Sequence, residues 1–137
     1  MKRTLSICCM GVAVILMSLP YGVQMRFVSD PGPPVEFVSF YYSYFSGMSI
    51  GYANWFPIMT VILSIAVLLM LVVRAVRHKK EISYTVKPLM ICLAICVIAS
   101  LCSWLIFNAV SVIGVVVFAL HLASLALQIN YRKTREV

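Results

Sequence analysis

The sequence contains few charged residues, and acidic residues are the rarest among them. Only 11% of its 137 residues are charged, and Asp and Glu together number four. A soluble domain covers its surface with about a quarter charged residues. Here 63% of the residues are hydrophobic and the mean hydropathy is +1.02. The composition therefore excludes an ordinary soluble domain and predicts that lipid solvates much of the chain.

Several catalytic signatures are also missing. The chain has no CxxC pair and no HExxH segment, and none of its acidic residues lies within a long apolar run. These absences argue against dithiol redox chemistry, zinc-dependent hydrolysis and an intramembrane pair of carboxylates. The sequence predicts a protein that is not an enzyme and that needs no cofactor.

The five cysteines lie inside predicted apolar helices rather than in a polar loop. A disulfide framework needs cysteines on an oxidising aqueous face, so we predict no disulfide. Reversible acylation of one of the two N-terminal cysteines is an alternative. A second alternative is a site for a soft metal in one layer of the membrane. That site would use four cysteines: Cys8, Cys9, Cys92 and Cys96.

The basic residues give the chain a formal net charge of +7. They occur in short groups beside apolar runs and form no basic face on a folded domain, which argues against nucleic-acid binding. Basic groups next to apolar helices set the orientation of a membrane protein and attract anionic lipid headgroups weakly. The lipid bilayer is therefore the first partner that the sequence predicts.

Long uncharged runs predict a single all-α membrane domain over residues 1–137, with four transmembrane helices in a bundle. The clearest run, Trp55–Val73, has 19 residues, about 28 Å of helix, which matches the hydrocarbon core of a bilayer. Pro88–Ile129 is too long for one crossing, so we predict a turn within 107–111. The predicted spans are 5–24, 55–73, 88–107 and 110–129, with an external loop over 25–54.

The charges predict the orientation of these spans. Lys2 and Arg3, the segment 74–87 and the C-terminal segment 131–137 are basic and fall on one side of the membrane, whereas the loop 25–54 has a net charge of −1. By the positive-inside rule both termini are cytoplasmic. We expect a multi-pass protein of the cell membrane.

The external loop is rich in aromatic residues. After the turn sequence Asp30–Pro34, Ser and Glu recur over Val35–Ser46 at the spacing of a narrow helical stripe, and aromatic residues fill the rest. This pattern predicts a short amphipathic helix that lies at the membrane interface. A β-hairpin is the alternative, because aromatic residues also suit strands. The predicted interaction surface comprises Phe40, Tyr41 and Tyr44.

His121 is the ionisable side chain that falls inside a predicted span. An ionisable group at this depth suggests a functional role. It lies on a predicted intramembrane polar face of the fourth span: Ser111, Gly114, Phe118, His121, Leu125 and Gln128. The simpler interpretation is a neutral histidine that is hydrogen-bonded to a neighbouring helix. The other is a role in proton or ligand binding, for which the spans offer no acidic partner.

Two functions follow from these features. We predict a non-enzymatic accessory protein that binds other membrane proteins or copies of itself through its aromatic loop. The alternative is a small oligomeric transporter or channel that uses the polar face around His121.

Overall fold

The computed structural model describes residues 2–30, 32, 36–46, 54–76, 86–108 and 110–136. These residues form four helices and a two-stranded sheet, and we number the elements in chain order. They are α1 (Lys2–Ser18), β1 (Val23–Asp30), β2 (Glu36–Tyr42), α2 (Phe56–Val76), α3 (Val86–Phe107) and α4 (Val112–Glu136).

Three of the helices are long and apolar enough to cross a membrane. Their apolar segments are Phe56–Val76, Lys87–Phe107 and Val112–Asn130. The apolar segment of α1, Thr4–Ser18, is shorter and has a length of about 22 Å. Length and composition thus indicate membrane helices for α2, α3 and α4.

The first helix ends earlier than the sequence analysis predicted. The predicted span 5–24 is wrong at its end, because α1 stops at Ser18 and residues from Val23 onward belong to β1. Pro20 lacks a backbone N–H and disfavours helical geometry at the residue before it. The last turn is closed by a hydrogen bond from Ser18 Oγ to the Ile15 carbonyl, 2.7 Å long.

The four helices pack side by side around a common interior. α1 contacts α2 and α4, and α3 contacts the same two helices from the other side. We call the space that they enclose the helix interior. One apolar cluster joins Ala13 and Met17 of α1 to Val61 and Val117. A second cluster, nearer the start of α1, joins Met10 to Val67, Leu71, Leu89 and Leu93.

The break between α3 and α4 falls within the predicted turn 107–111. Asn108 adopts a positive φ of 49°, a conformation that Asn tolerates better than most residues. Ser111 then caps α4, because its Oγ accepts a hydrogen bond of 2.9 Å from the Gly114 N–H. The two helices are consequently antiparallel neighbours.

The amphipathic helix predicted for Val35–Ser46 is wrong, and the alternative, a β-hairpin, is what forms. β1 and β2 pair antiparallel, from Val23 opposite Tyr42 to Asp30 opposite Glu36. β2 is rich in β-branched and aromatic residues, β1 contains Val23, Phe27 and Val28, and a Pro-Gly turn sequence separates the strands, which together favour a hairpin. Residues 31 and 33–35 of that turn lie outside the described residues.

The hairpin rests on the helices at its base and is exposed elsewhere. Val23, Gln24 and Met25 of β1 are buried, whereas β2 is exposed from Glu36 to Tyr41. Cross-strand aromatic contacts support the exposed part. Phe27 and Phe40 meet edge to face with ring centroids 5.6 Å apart, and Tyr21 lies 6.2 Å from Tyr41.

Polar side chains of the helices are concentrated in the helix interior, and many large apolar side chains lie on the outer surface of the helices. The buried polar side chains of α1–α4 are Ser6, Thr60, Ser64, Ser100, Ser103, His121, Ser124 and Gln128. Large exposed apolar side chains occur on every helix, with Ile15, Ile62, Ile98 and Leu105 among the most exposed. Large contiguous apolar surfaces are rare on soluble monomers. This distribution suits helices that are surrounded by lipid.

Candidate functional site

α4 turns one polar and small-residue face toward the helix interior. The buried residues recur at helical spacing and are Ser111, Gly114, Val117, His121, Ser124 and Gln128. Val117 and Ser124 occupy positions of this face that the sequence analysis assigned to Phe118 and Leu125. Those two side chains are half-buried, and Phe118 packs against Trp104 with ring centroids 5.0 Å apart.

His121 is fully buried, and both of its ring nitrogens have hydrogen-bond partners. Nε2 lies 2.7 Å from Ser64 Oγ on α2, and Nδ1 lies 2.8 Å from the Val117 carbonyl oxygen. A carbonyl can only accept, so Nδ1 carries a hydrogen. In the neutral ring Nε2 is then an acceptor, and Ser64 donates to it. The geometry therefore satisfies a neutral histidine through partners on two helices.

Ser64 has a second possible acceptor in the Thr60 carbonyl, 2.6 Å from its Oγ. One hydroxyl hydrogen cannot serve both bonds fully, so the bonds to His121 and to Thr60 compete. A serine next to an oriented histidine is also the arrangement that activates a nucleophile. Here Ser64 and His121 are both fully buried, which favours a role in packing over one in catalysis.

Cys96 and Ser100 extend this polar layer onto α3. Cys96 Sγ lies 3.8 Å from Ser64 Oγ, and Ser100 Oγ donates to the Cys96 carbonyl at 3.0 Å. Of the other cysteines in the metal alternative, Cys8 is exposed, while Cys9 and Cys92 are half-buried. Within the described ranges, no group of three or more His, Cys, Asp or Glu side chains is placed to hold a metal ion.

A second polar layer joins α1, α2 and α4 near the start of α1. Ser6 Oγ and Ser124 Oγ are 2.7 Å apart, and Gln128 Nε2 donates to Ser6 Oγ at 3.1 Å. Arg74 donates to Gln128 Oε1 at 3.4 Å. Ser6 and Ser124 are absent from the predicted intramembrane polar face. Ser124 could have been found from its spacing, three residues after His121 and four before Gln128.

A third set of contacts attaches the base of the hairpin to α1 and α4. The Tyr44 N–H donates to the Met17 carbonyl at 3.0 Å, and the Tyr44 ring packs directly on Gly22. Ser111 Oγ in turn donates to the Gly22 carbonyl. We call Gly22, Tyr44, Ser111 and Gly114 the hairpin clasp, since they hold the hairpin on the helices.

The three residues of the predicted interaction surface are separated by the structure. Phe40 and Tyr41 are exposed on β2, whereas Tyr44 is only 6% exposed and belongs to the hairpin clasp. Burial raises the pKa of Tyr44 to about 12. Its hydroxyl therefore stays protonated over the physiological pH range. A surface for partners can include Phe40 and Tyr41 but not Tyr44.

Asn54 forms a further polar contact at the start of α2. Its Nδ2 donates to Ser103 Oγ near the end of α3, with a separation of 3.3 Å. Asn54 is buried, and its Oδ1 has no hydrogen-bond partner among the described residues. The Asn54–Ser103 pair ties α2 to α3 at the hairpin side of the helices, as Ser6 ties α1 to α4 at the other side.

The segment Gly47-Met48-Ser49-Ile50-Gly51 has the GxSxG spacing of a hydrolase serine motif. In hydrolases this serine stands on a sharp turn between a strand and a helix of an α/β sheet. The described part of the chain contains an antiparallel hairpin and no sheet of that kind. Residues 47–53 lie outside the described residues. The spacing by itself therefore does not support an enzymatic role.

Comparisons with known proteins add no family to this description. No family model matches the sequence. No curated protein and no solved structure matches it either.

The contact between Ser64 and His121 gives a testable order of stabilities. Ser64→Ala should destabilise the protein by about 1–2 kcal/mol, because it leaves a buried imidazole nitrogen without a donor. His121→Leu should cost less, because Ser64 keeps the Thr60 carbonyl as acceptor and hydrogen bonds in membranes average about 0.6 kcal/mol. Thermal unfolding in detergent measures both variants and the double variant, which should be less destabilised than Ser64→Ala.

The same residues test the transporter alternative. His121→Asn keeps a hydrogen-bonding group but cannot change charge near neutral pH. If His121 only packs, the folded His121→Asn protein should complement a strain that lacks this protein. Loss of complementation by a folded His121→Asn protein, together with loss of a solute or proton flux in liposomes, would favour the transporter.

Proposed function

We propose that this chain is a small multi-pass membrane protein that acts as a non-enzymatic accessory subunit and binds other proteins through its external hairpin. The observation that carries this proposal is the exposed aromatic surface of β2. Phe37, Phe40 and Tyr41 are exposed on β2, with Phe37 and Tyr41 on one face of the strand and Phe40 on the other. We call these three residues the hairpin surface.

The proposal includes a membrane crossing by all four helices. α2, α3 and α4 have the necessary length and hydropathy. α1 is shorter, but it contacts both α2 and α4, and Leu5, Val12 and Ile15 are exposed on its outer side. A short span can be accommodated by local thinning of the bilayer at a modest cost. Four crossings also place both termini on the same side.

The orientation that we propose has the hairpin outside and both termini in the cytoplasm. Protease added outside intact cells should cut only within residues 26–54, and a reporter active in the cytoplasm should work when fused after Val137. The reason is the excess of Lys and Arg in segment 74–87, which carries five basic residues against Glu81. Residues 77–85 of this segment lie outside the described residues. External cleavage within 74–87 would overturn the orientation.

Aromatic side chains suit the hairpin surface to protein binding. Tyr, Trp and Phe are enriched in the cores of protein interfaces, and a few of them supply most of the binding energy. An exposed strand edge adds unpaired backbone groups that a partner strand can use. A polar, charged edge would discourage such pairing, but Glu36 is the only charged residue in β2.

Replacing the hairpin surface tests the function directly. The Phe37→Ser/Phe40→Ser/Tyr41→Ser variant should insert with its helices folded, although it lacks the ring contacts of Phe40 with Phe27 and of Tyr41 with Tyr21, and it should lose its crosslinks to neighbouring membrane proteins or to other copies. Each lost aromatic contact should cost about 1–2 kcal/mol of binding. Insertion depends on the helices, and none of the three side chains is buried. Crosslinking in intact membranes, followed by mass spectrometry, measures the loss.

Phe45→Ser is the matched control for this variant. Phe45 is 49% exposed and Phe40 is 48% exposed, but Phe45 lies beyond the end of β2. The control should therefore keep its crosslinks. If the triple variant and Phe45→Ser give the same crosslinks as the wild type, the hairpin surface is not a docking surface and the proposed function is wrong.

A further inference from the structure

The end of the helices opposite the hairpin brings together basic residues from all four helices. α1 and α3 begin at this end, and α2 and α4 end there. Their packing shows it, since Met10 of α1 and Leu89 near the start of α3 lie in one cluster with Leu71 near the end of α2. The helix residues at this end include seven basic residues but only one acidic residue, Glu136. The end therefore has a strong positive charge.

Arg74 lies at the centre of this end. Its side chain is half-buried in the last turn of α2 and donates to Gln128 Oε1 of α4 at 3.4 Å. Gln128 in turn donates to Ser6 of α1. Arg132 follows Gln128 by about one helical turn on α4, and Arg3 precedes Ser6 by about one turn on α1. Three helices thus place a basic residue beside or just beyond the same polar layer.

The first turns of α1 and α3 add to this positive potential. The free N–H groups and the dipole at the start of a helix favour acidic side chains there. Neither first turn contains an acidic residue, and Arg3 and Lys87 stand there instead. Basic residues in these positions do not stabilise the helices themselves. An anion bound at this end would offset the unfavourable potential.

We propose that this end of the helices binds the phosphate of an anionic phospholipid. We call the four residues Arg3, Arg74, Lys87 and Arg132 the basic end. A guanidinium can hold a phosphate through two parallel hydrogen bonds, and a lysine can add a point charge. Basic groups between membrane helices on the cytoplasmic side are a known kind of site for anionic headgroups. The orientation proposed above places the basic end on that side.

The depth of these residues favours a lipid over a soluble phosphate compound. Arg74 lies within the apolar segment Phe56–Val76, and Lys87 begins the apolar segment Lys87–Phe107. Both residues therefore lie where the hydrocarbon of a bilayer meets its headgroups, if the helices cross a membrane. Phosphate groups at that depth belong to lipids. The inference needs the membrane crossing but does not depend on a partner of the hairpin surface.

The lipid preference of the purified protein tests this proposal. Full-length protein in a neutral detergent should bind phosphatidylglycerol, which has one negative charge, at least about tenfold more tightly than zwitterionic phosphatidylcholine. Each basic residue near an anionic lipid contributes about a fivefold factor, equivalent to about 1 kcal/mol, so two residues are enough for this ratio. Native mass spectrometry with lipids of the same acyl chains measures it.

Single substitutions locate the site. Arg74→Gln and Lys87→Gln should each weaken phosphatidylglycerol binding about fivefold and leave phosphatidylcholine binding unchanged. Lys87 is exposed, so its replacement tests the site even if Arg74→Gln does not fold. Arg135→Gln is the matched control, because it removes the same charge from the same end, almost one helical turn further along α4 than Arg132. It should weaken binding by less than about twofold.

The remaining outcomes decide between a lipid and other ligands. Equal binding of the two lipids by the wild type, or equal losses in Lys87→Gln and Arg135→Gln, would overturn the proposal. Displacement of the lipid by an equal concentration of glycerol 3-phosphate would show that the ligand is a soluble phosphate compound. If Lys87→Gln instead removes a crosslinked membrane protein and leaves lipid binding unchanged, the basic end binds an acidic protein and the lipid is the wrong ligand.

The hairpin surface variant separates this proposal from the proposed function. That variant should keep the full preference for phosphatidylglycerol, because its three substitutions lie at the opposite end of the helices. Likewise, Lys87→Gln should keep the crosslinks made by the hairpin. Each proposal can therefore fail while the other stands.

Discussion

An Ile62→Asp variant should fail to accumulate as folded protein in the membrane. Ile62 lies near the middle of α2, and 62% of its surface faces outward from the helices. A carboxylate at the centre of a membrane helix costs about 2.5–3.5 kcal/mol on insertion scales. In a protein surrounded by water the same substitution would be tolerated, since it only makes an exposed position polar. Membrane fractionation followed by gel filtration in mild detergent measures the difference.

Val76→Asp is the matched control on the same helix. Val76 is 76% exposed but is the last residue of α2 and lies within the basic segment 74–87. A charge near the end of a span reaches the headgroups and costs little. We therefore expect near-normal amounts of folded Val76→Asp protein. Equal accumulation of both variants as folded protein would contradict the membrane assignment of α2.

Gly22→Ala should destabilise the protein by about 1–3 kcal/mol, the usual cost of an added group in a tightly packed site. A Cβ on Gly22 would lie 2.6 Å from Cδ2 of the Tyr44 ring, which is closer than real contacts allow. The ring has little freedom to move. The backbone N–H of Tyr44 donates a hydrogen bond to the Met17 carbonyl. At the other end of the ring, the Tyr44 hydroxyl packs closely on Gly114, where a Cβ would lie only 3.2 Å from the hydroxyl oxygen.

Two further variants define the cause of this loss. Tyr44→Ala should remove the clash, so Gly22→Ala should cost much less in that background than in the wild type. Gly11→Ala is the control for a glycine without neighbours, because a Cβ there meets nothing within 4 Å. It should be neutral or stabilising by about 0.5–1 kcal/mol, since Ala is the better helix former. Unfolding midpoints in detergent measure all four proteins, and additive effects at positions 22 and 44 would show that the ring is not the obstacle.

The parts of the fold that depend on local composition could be predicted from the sequence. α2 could be predicted from the uncharged run between Trp55 and Arg74, because the length of that run as a helix matches the thickness of a bilayer. The break at Asn108 follows from the same length argument. The end of α1 was missed, although Pro20 marked it, because the apolar composition continues past the proline.

The hairpin shows where local composition is insufficient. The spacing of Glu36, Ser39, Ser43 and Ser46 imitates the polar stripe of a helix. What decides against a helix is the earlier strand β1, which provides hydrogen-bond partners for the backbone of β2. Propensity in a strand reflects such neighbours more than the residue itself, and a single segment does not contain that information.

The candidate site was predicted only where one helix defines it. Ser111, His121 and Gln128 share a face of α4 by their spacing alone. Their partners, Ser64 for His121 and Ser6 for Gln128, lie 57 and 122 residues away, and no periodicity relates residues on different helices. The difference in burial between exposed Tyr41 and buried Tyr44 could not be predicted for the same reason. Tyr44 is buried because the chain returns to α1 and pairs with Met17 there.

The contact between Ser6 and Ser124 has a consequence for how the protein is made. These residues are separated by 118 positions, and a ribosome that adds about 5–20 residues per second needs roughly 10 s to cover that distance. In the proposed membrane arrangement, α1 enters the bilayer first, and during this interval Ser6 lacks its partner Ser124. A ribosome that stalls before α4 therefore leaves Ser6 without both of the side chains, Ser124 and Gln128, to which it is hydrogen-bonded in the folded protein.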